Sequence, residues 1–182
     1  MLKRNTNLSV KVLLLILLVL LFLFIFRASA EAQQTKQDKY YYATKTYEYL
    51  TLRNFSPASA CGIIGNMMIE TSGGTLDLKP YVYSSSGKFY GLCQWSTTYY
   101  SGAKDLPFDY QLDYLLGTMP WEFKTFGWLY EEGFDFEDFI VLKDPAEAAL
   151  VFAEVYERCG PVSYRLRQQA AQVAYDYFQL NF

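Results

Sequence analysis

The sequence predicts a mainly helical α+β domain with one small β-hairpin segment after its second helix. Apolar residues recur at helical spacing along most of the chain, and two helix starts are written as a capping residue followed by proline, Ser56-Pro57 and Asp144-Pro145. Residues 76–95 break that spacing into short Tyr, Val, Phe and Leu runs around Ser84-Ser85-Ser86-Gly87, and Ser96 to Pro107 are rich in turn residues. With 182 residues, 52% of them apolar and 19% aromatic, the chain has the material for one domain with its own core and is not a disordered tail.

The N-terminus reads separately. Lys3, Arg4 and Lys11 precede an apolar run from Val12 to Phe26, and Arg27 and the small triplet Ala28-Ser29-Ala30 follow, the order of a secretory signal. The run falls short of the roughly 18–20 apolar residues that a straight membrane span needs. Cleavage after Ala30 is therefore favoured over anchoring by residues 12–26, and an uncut segment would be an anchor with its basic end inside. Both outcomes put Glu31 onward outside the cytoplasm. The polar stretch from Glu31 to residue 42 reads as a linker, and residues 43–182 as the folded domain. Loss of residues 1–30 takes away four basic side chains and no acidic one, leaving 12 basic against 19 acidic and a net charge of −7. Nucleic acid, whose binding rests on phosphate attraction, is excluded as a partner on that balance.

Within the domain, Tyr47 and Leu50 predict a first helix over Thr44–Arg53, ended by Asn54-Phe55-Ser56-Pro57. Ser56 then caps a second helix with Pro57 at its first position and Ala60, Ile64, Met67 and Met68 at helical spacing; Gly73-Gly74 supply the left-handed stop near Thr71. Pro80–Tyr83 and Lys88–Cys93 are the expected extended pieces. Phe108, Leu112, Leu115 and Leu116 share a face of a helix that Pro120 is expected to break. The acidic, aromatic stretch from Trp121 to Phe139 reads as a solvated surface or a short helix. Asp144, Pro145 and Glu147 open a helix that ends at Gly160-Pro161, and the last helix is expected to turn Leu166, Ala170, Val173, Ala174 and Tyr177 inward.

The chain contains no histidine, which removes Ser-His-Asp and Cys-His nucleophiles and HExxH metal sites. No phosphate-binding glycine motif is present either. The three cysteines are too few and too scattered for a zinc cluster, so neither a metal nor a cofactor is expected. Carboxylates remain, and carboxylate chemistry without histidine is typical of glycoside hydrolysis.

The string Gly65-Asn66-Met67-Met68-Ile69-Glu70-Thr71-Ser72-Gly73 resembles the GN-x-x-x-E-[ST]-G helix end of phage tail lysozyme domains, members of the lysozyme-like superfamily. Tyr90-Gly91-Leu92-Cys93-Gln94-Trp95-Ser96 is similar to the family's G-[LI]-x-Q-W segment, Gln111-Leu112-Asp113-Tyr114-Leu115 to its QLDYL helix, and Ala148-Ala149 with Tyr156-Glu157-Arg158 to its AA…FER helix. The pieces stand in family order over residues 43–178. The resemblance implies a lysozyme-like fold, peptidoglycan glycan strands as the partner, and Glu70 as the catalytic acid of a muramidase cleaving between N-acetylmuramic acid and N-acetylglucosamine; the domain is expected to be a monomer.

Physical chemistry supports that role independently. A carboxyl in the last turn of a helix, packed beside Ile63 and Met67, loses solvation and meets an unfavourable dipole, and both effects favour the protonated form that an acid needs. Asp77, in the loop entering the β segment, is the candidate second carboxylate, or else a turn cap. If no second acid serves, attack by the muramic acid C6 hydroxyl would make the protein a lytic transglycosylase. A wall-binding module without turnover is the non-enzymatic alternative. Gln94 is the expected amide for sugar hydroxyls, and Trp95, Tyr90 and Tyr81 the expected rings for pyranose faces, with core or cross-strand packing as their other use. Cys61 and Cys93 flank this region and are the candidate disulfide, with buried thiols as the alternative.

Overall fold

A computed structural model describes residues 14–27 and 39–182, which fall into two units, one up to Lys39 and one from Tyr40 to Phe182. In the first, residues 14–27 form helix α1, whose apolar side chains from Leu14 to Phe26 are all exposed. Among the described residues no helix is long and apolar enough to cross a membrane. The basic residues Lys3, Arg4 and Lys11, the Ala28-Ser29-Ala30 triplet and residues 31–38 of the expected linker lie outside the described residues.

The second unit is built around α3, Pro57–Ser72, which follows α2, Tyr41–Thr51. Both signals read from the sequence operate in α3. The Ser56 hydroxyl accepts from the Ser59 N–H at 3.0 Å, and Gly73 closes the helix in the left-handed region at φ 63°. Every residue from Ala58 to Met68 is buried, so this helix is covered on all sides. Two later helices pack on it, α6 (Pro145–Val151) and α7 (Tyr164–Asn181). Glycines set how closely they come: a Cβ at Gly62 would stand 2.6 Å from the Ala148 Cβ, and one at Gly65 2.5 Å from the Ala171 backbone nitrogen.

That approach corrects the expected inner face of α7. Its buried residues are Arg167, Ala170, Ala171, Ala174 and Phe178, whereas Leu166 and Val173 are 54% exposed. Small side chains are required where α7 meets Gly65. The buried Arg167 cannot be recognised as core by an apolar pattern at all.

The β segment also differs from expectation. Strands β1, Phe89–Tyr90, and β2, Trp95–Ser96, pair antiparallel with Phe89 opposite Ser96 and Tyr90 opposite Trp95; Pro80–Tyr83 contributes only a single bridge from Tyr83 to Tyr90. Gly91 and Gln94, both at positive φ (80° and 46°), turn the chain back at once, so Tyr90 meets its neighbour Trp95. Pro80 has no N–H for a ladder.

Helix α4, Phe108–Phe126, runs through Pro120. Pro120 is exposed, while Met119, Glu122 and Phe123 beside it are buried and hold the following turns in place. The missing hydrogen bond thus falls on the solvent side, where carbonyls tilt toward water anyway. The acidic stretch beyond it yields α5, Phe136–Ile140, opened by a capping box between Asp135 and Asp138. Asp144 caps α6 as expected, accepting from the Ala146 and Glu147 N–H groups. From Phe152 to Glu157 the winding changes to a π-helix, which stops at Arg158 in the left-handed region at φ 50°.

Gly65→Ala should destabilise the domain by about 1–3 kcal/mol, because backbone must move to admit the methyl group. Gly117→Ala, in α4 with nothing within 4 Å of its added Cβ, should stabilise by up to about 1 kcal/mol. Thermal unfolding of the two variants checks the pair, and equal midpoints would contradict the helix contact.

Candidate active site

Asn66 and Glu70 lie four residues apart on one face of α3 and meet the same partner. The Asn66 amide, fully buried, donates to the Gly62 carbonyl at 2.9 Å and to Ala149 of α6 at 3.0 Å. Its carbonyl oxygen accepts from Arg167 Nη1 at 2.9 Å. The same guanidinium donates from Nη2 to Glu70 Oε1 and from Nη1 to Glu157 Oε2, and its Nε–H donates to the Ser163 hydroxyl at 3.1 Å. Side-chain exposure ranks the group: Arg167 4%, Glu157 6%, Glu70 23%. Glu70 is the one of the three with a substantial face to solvent.

Glu157 comes to this place through the π segment. Winding of the i→i+5 kind gives its side chain an angular position that α-helical spacing from Asp144 does not anticipate. Burial pushes its carboxyl up to about 8; Arg167 works against the shift and the nearby Glu70 adds to it. Burial likewise opposes the charge on Arg167, but the two carboxylates outweigh it and the guanidinium stays charged.

A cleft of about 440 Å³ opens beside this group. Glu70 and Glu157 line it together with Cys93, Gln94 and Trp95 from the β segment. Two further lining side chains, Phe89 (42% exposed) and Tyr99 (66% exposed), present aromatic surface to solvent, Tyr99 while packing edge-to-face with Tyr100. The far side is stiffened by Glu122, itself 1% exposed, which accepts from the Tyr100 hydroxyl and from Arg158. Tyr100 also accepts from Arg158 Nη2 at 2.6 Å.

The residues singled out in the sequence divide at this cleft. Glu70, Gln94 and Trp95 line it. The Gln94 amide N–H groups donate to Val82 and Gly91 carbonyls at 3.2 and 3.0 Å, fixing the turn. Trp95 is only 3% exposed; its Nε1–H donates to the Tyr156 hydroxyl at 2.9 Å, so most of its ring is core. Tyr90, 4% exposed, donates to the Leu106 carbonyl at 3.2 Å, and Tyr81 packs edge-on against Tyr42; neither lines the cleft. Asp77 is paired with Lys79 at 2.7 Å and is likewise not in the lining. The expected Cys61–Cys93 bridge does not form: both thiols are free and buried, and burial raises each above its ordinary range. Cys61, fully buried on α3, belongs to the hydrophobic core.

Glu157, Arg167, Phe89 and Tyr99 escaped the sequence reading. Glu157 lies within the Tyr156-Glu157-Arg158 motif, but helical spacing gives no reason to turn it inward. Arg167 was hidden by its charge.

The phage tail lysozyme family model matches residues 42–178. The chain belongs to the phage tail lysozyme family. It is thereby a lysozyme-like peptidoglycan hydrolase, and its mainly helical α+β fold with a small hairpin is the lysozyme-like one. Among curated proteins none matches the chain. The match takes in the cleft entire, from α3 through the β segment to Arg167 on α7 of this phage tail lysozyme domain.

The raised Glu157 carboxyl gives stability a definite pH dependence. Below its ordinary value of 4.5 the group is protonated in both the folded and the unfolded chain; from there to about 8 only the folded chain keeps the proton. Unfolding then releases a proton, so this group's contribution is complete below about pH 4.5 and falls away as pH rises to about 8. Urea unfolding of wild type and Glu157→Gln across that range should show the difference between them shrinking or reversing with pH. A difference independent of pH would contradict a buried, proton-holding carboxyl.

Proposed function

We propose that this domain is a muramidase that cleaves the glycan between N-acetylmuramic acid and N-acetylglucosamine, with Glu70 as general acid. The observation that carries the reading is the position of Glu70: the most exposed carboxyl of the buried Asn66–Arg167–Glu157 group, at the wall of a cleft with the open rings of Phe89 and Tyr99. Protonated Glu70 donates to the bridging oxygen as the C1–O bond breaks and the sugar takes on oxocarbenium character. The leaving sugar departs with that proton, and Glu70, now ionised, takes one from the incoming nucleophile. Phe89 and Tyr99 supply stacking surfaces for pyranose rings, the task expected of Trp95, Tyr90 and Tyr81. Gln94 borders the same space.

The nucleophile distinguishes two outcomes. Water gives a reducing end; the muramic acid C6 hydroxyl gives a 1,6-anhydro end. The second route is the alternative because Asp77, the carboxylate expected to activate water, is engaged with Lys79 away from the cleft lining. Action on peptidoglycan requires the domain to reach the wall, and residues 1–30 are the proposed export signal, or a membrane anchor if uncut, with residues 31–42 as linker and 43–182 as the catalytic domain.

Purified sacculi incubated with the protein should release muropeptides, and Glu70→Gln should lower the rate by about 10²–10⁴-fold while leaving the thermal midpoint near that of wild type. Mass spectrometry of the products separates reducing from 1,6-anhydro ends. Equal activity of Glu70→Gln, or sacculus binding by wild type without release, would sink the catalytic reading.

A further inference from the structure

Three features meet at the end of the π segment, and packing alone accounts for none of them. The second carboxyl oxygen of Glu157, Oε1, is buried without a hydrogen-bond partner. The next residue, Arg158, sits at φ 50°, a conformation that costs a non-glycine residue about 1–2 kcal/mol. The winding itself is of the π kind, which occurs preferentially at functional sites. Together they place a second carboxyl against a guanidinium that already has one.

A purely structural ion pair needs a single carboxylate for each guanidinium. Here Glu70 and Glu157 share Arg167, and with both ionised the buried group would carry net negative charge. One proton resolves that imbalance. The charged and titratable groups facing Glu157 are Arg167 from α7, Glu70 from α3, Cys93 from the β segment and Cys159 just beyond the π segment.

We propose that Glu157 is the positioning acid of the cleft: bound to the same guanidinium as Glu70, it stores the proton that Glu70 requires and yields it when a glycan strand covers Glu70. The proposal rests on Glu70 being the acid. In the empty cleft the proton resides on Glu157, the more buried carboxyl, and Glu70 is paired with Arg167 Nη2 with part of its side chain in water. A bound sugar displaces that water and removes the difference in burial that favoured Glu157. As the strand settles, the O–H bond at Glu157 breaks and one at Glu70 forms, by exchange through the last water to leave the cleft, while the negative charge moves the opposite way. Arg167 stays charged and bonded to both. The proton therefore belongs to the pair, and the pair decides up to what pH the cleft holds an acid.

Rate against pH on soluble glycan fragments, for wild type and Glu157→Gln, is the first test. With Glu157 neutral, Arg167 and Glu70 balance each other and a proton is no longer required, so the alkaline limb of kcat should move down by at least about one pH unit with KM little changed. Glu157→Asp should recover part of the shift. An unmoved limb overturns the proposal, as does a folded Glu157→Gln that is dead at every pH, since Glu157 would then touch substrate.

The second test needs neither turnover nor a Glu157 variant. Carbon-13 carboxyl NMR of glutamate-labelled protein should show a carboxyl titrating above the ordinary range, and in Glu70→Gln it should titrate lower because Arg167 then serves Glu157 alone. No change in Glu70→Gln overturns the proposal even where wild type digests sacculi. Wild type that digests nothing overturns the Glu70 reading itself, so the two failures are told apart.

Discussion

The guanidinium of Arg167 is the point on which the rest of the second unit turns, because a buried cation has to be matched on every donor. Its partners come from separate elements: Asn66 and Glu70 from α3, Glu157 from the π segment, Ser163 just ahead of α7. Satisfying it fixes the rotation of α7 about its axis and the end of the π segment. It also fixes the direction of Glu70. The small-residue contact of Gly65 with Ala171 brings α7 near enough for these bonds to be made.

A second hub places the opposite wall. Gln111, fully buried on α4, accepts from the Leu92 N–H at 2.9 Å and donates to the Pro80 and Leu106 carbonyls at 2.7 and 2.9 Å. These bonds take up backbone groups that so short a hairpin cannot satisfy itself. The glycine that follows Tyr90 is required for the same reason: a Cβ at Gly91 would come 2.6 Å from the Gln111 side-chain oxygen. The cleft is thus held between two buried polar side chains, one on α4 and one on α7. Glu70 lies on the wall that the cleft shares with α3.

The family motif gains a physical meaning from this arrangement. In the string from Gly65 to Gly73, Gly65 admits α7, Asn66 bridges α6 to Arg167, Glu70 follows one turn later on the same face, and Gly73 ends the helix so that the chain turns toward the β segment. Each position answers a distinct steric or hydrogen-bonding demand. The buried Glu122 on α4 plays a like part for Tyr100 and Arg158.

By itself the sequence determined what depends on neighbours along the chain. Ser56-Pro57, Gly73 and Asp144-Pro145 mark helix ends because capping and the left-handed stop are satisfied within a few residues, and the absence of histidine restricts the chemistry wherever the chain folds. Glu70 was legible for both reasons, at a helix end and in a motif. Tertiary structure decided what depends on partners far away. Pro120 stays within a helix because its neighbours are buried, Trp95 is spent on Tyr156, and Cys61 and Cys93 remain apart as buried thiols. Glu157 and Arg167 are invisible to an apolar pattern, since a charge is tolerated in the interior only when the fold brings it a counter-charge, and here Glu70 and Arg167, 97 positions apart, supply one another.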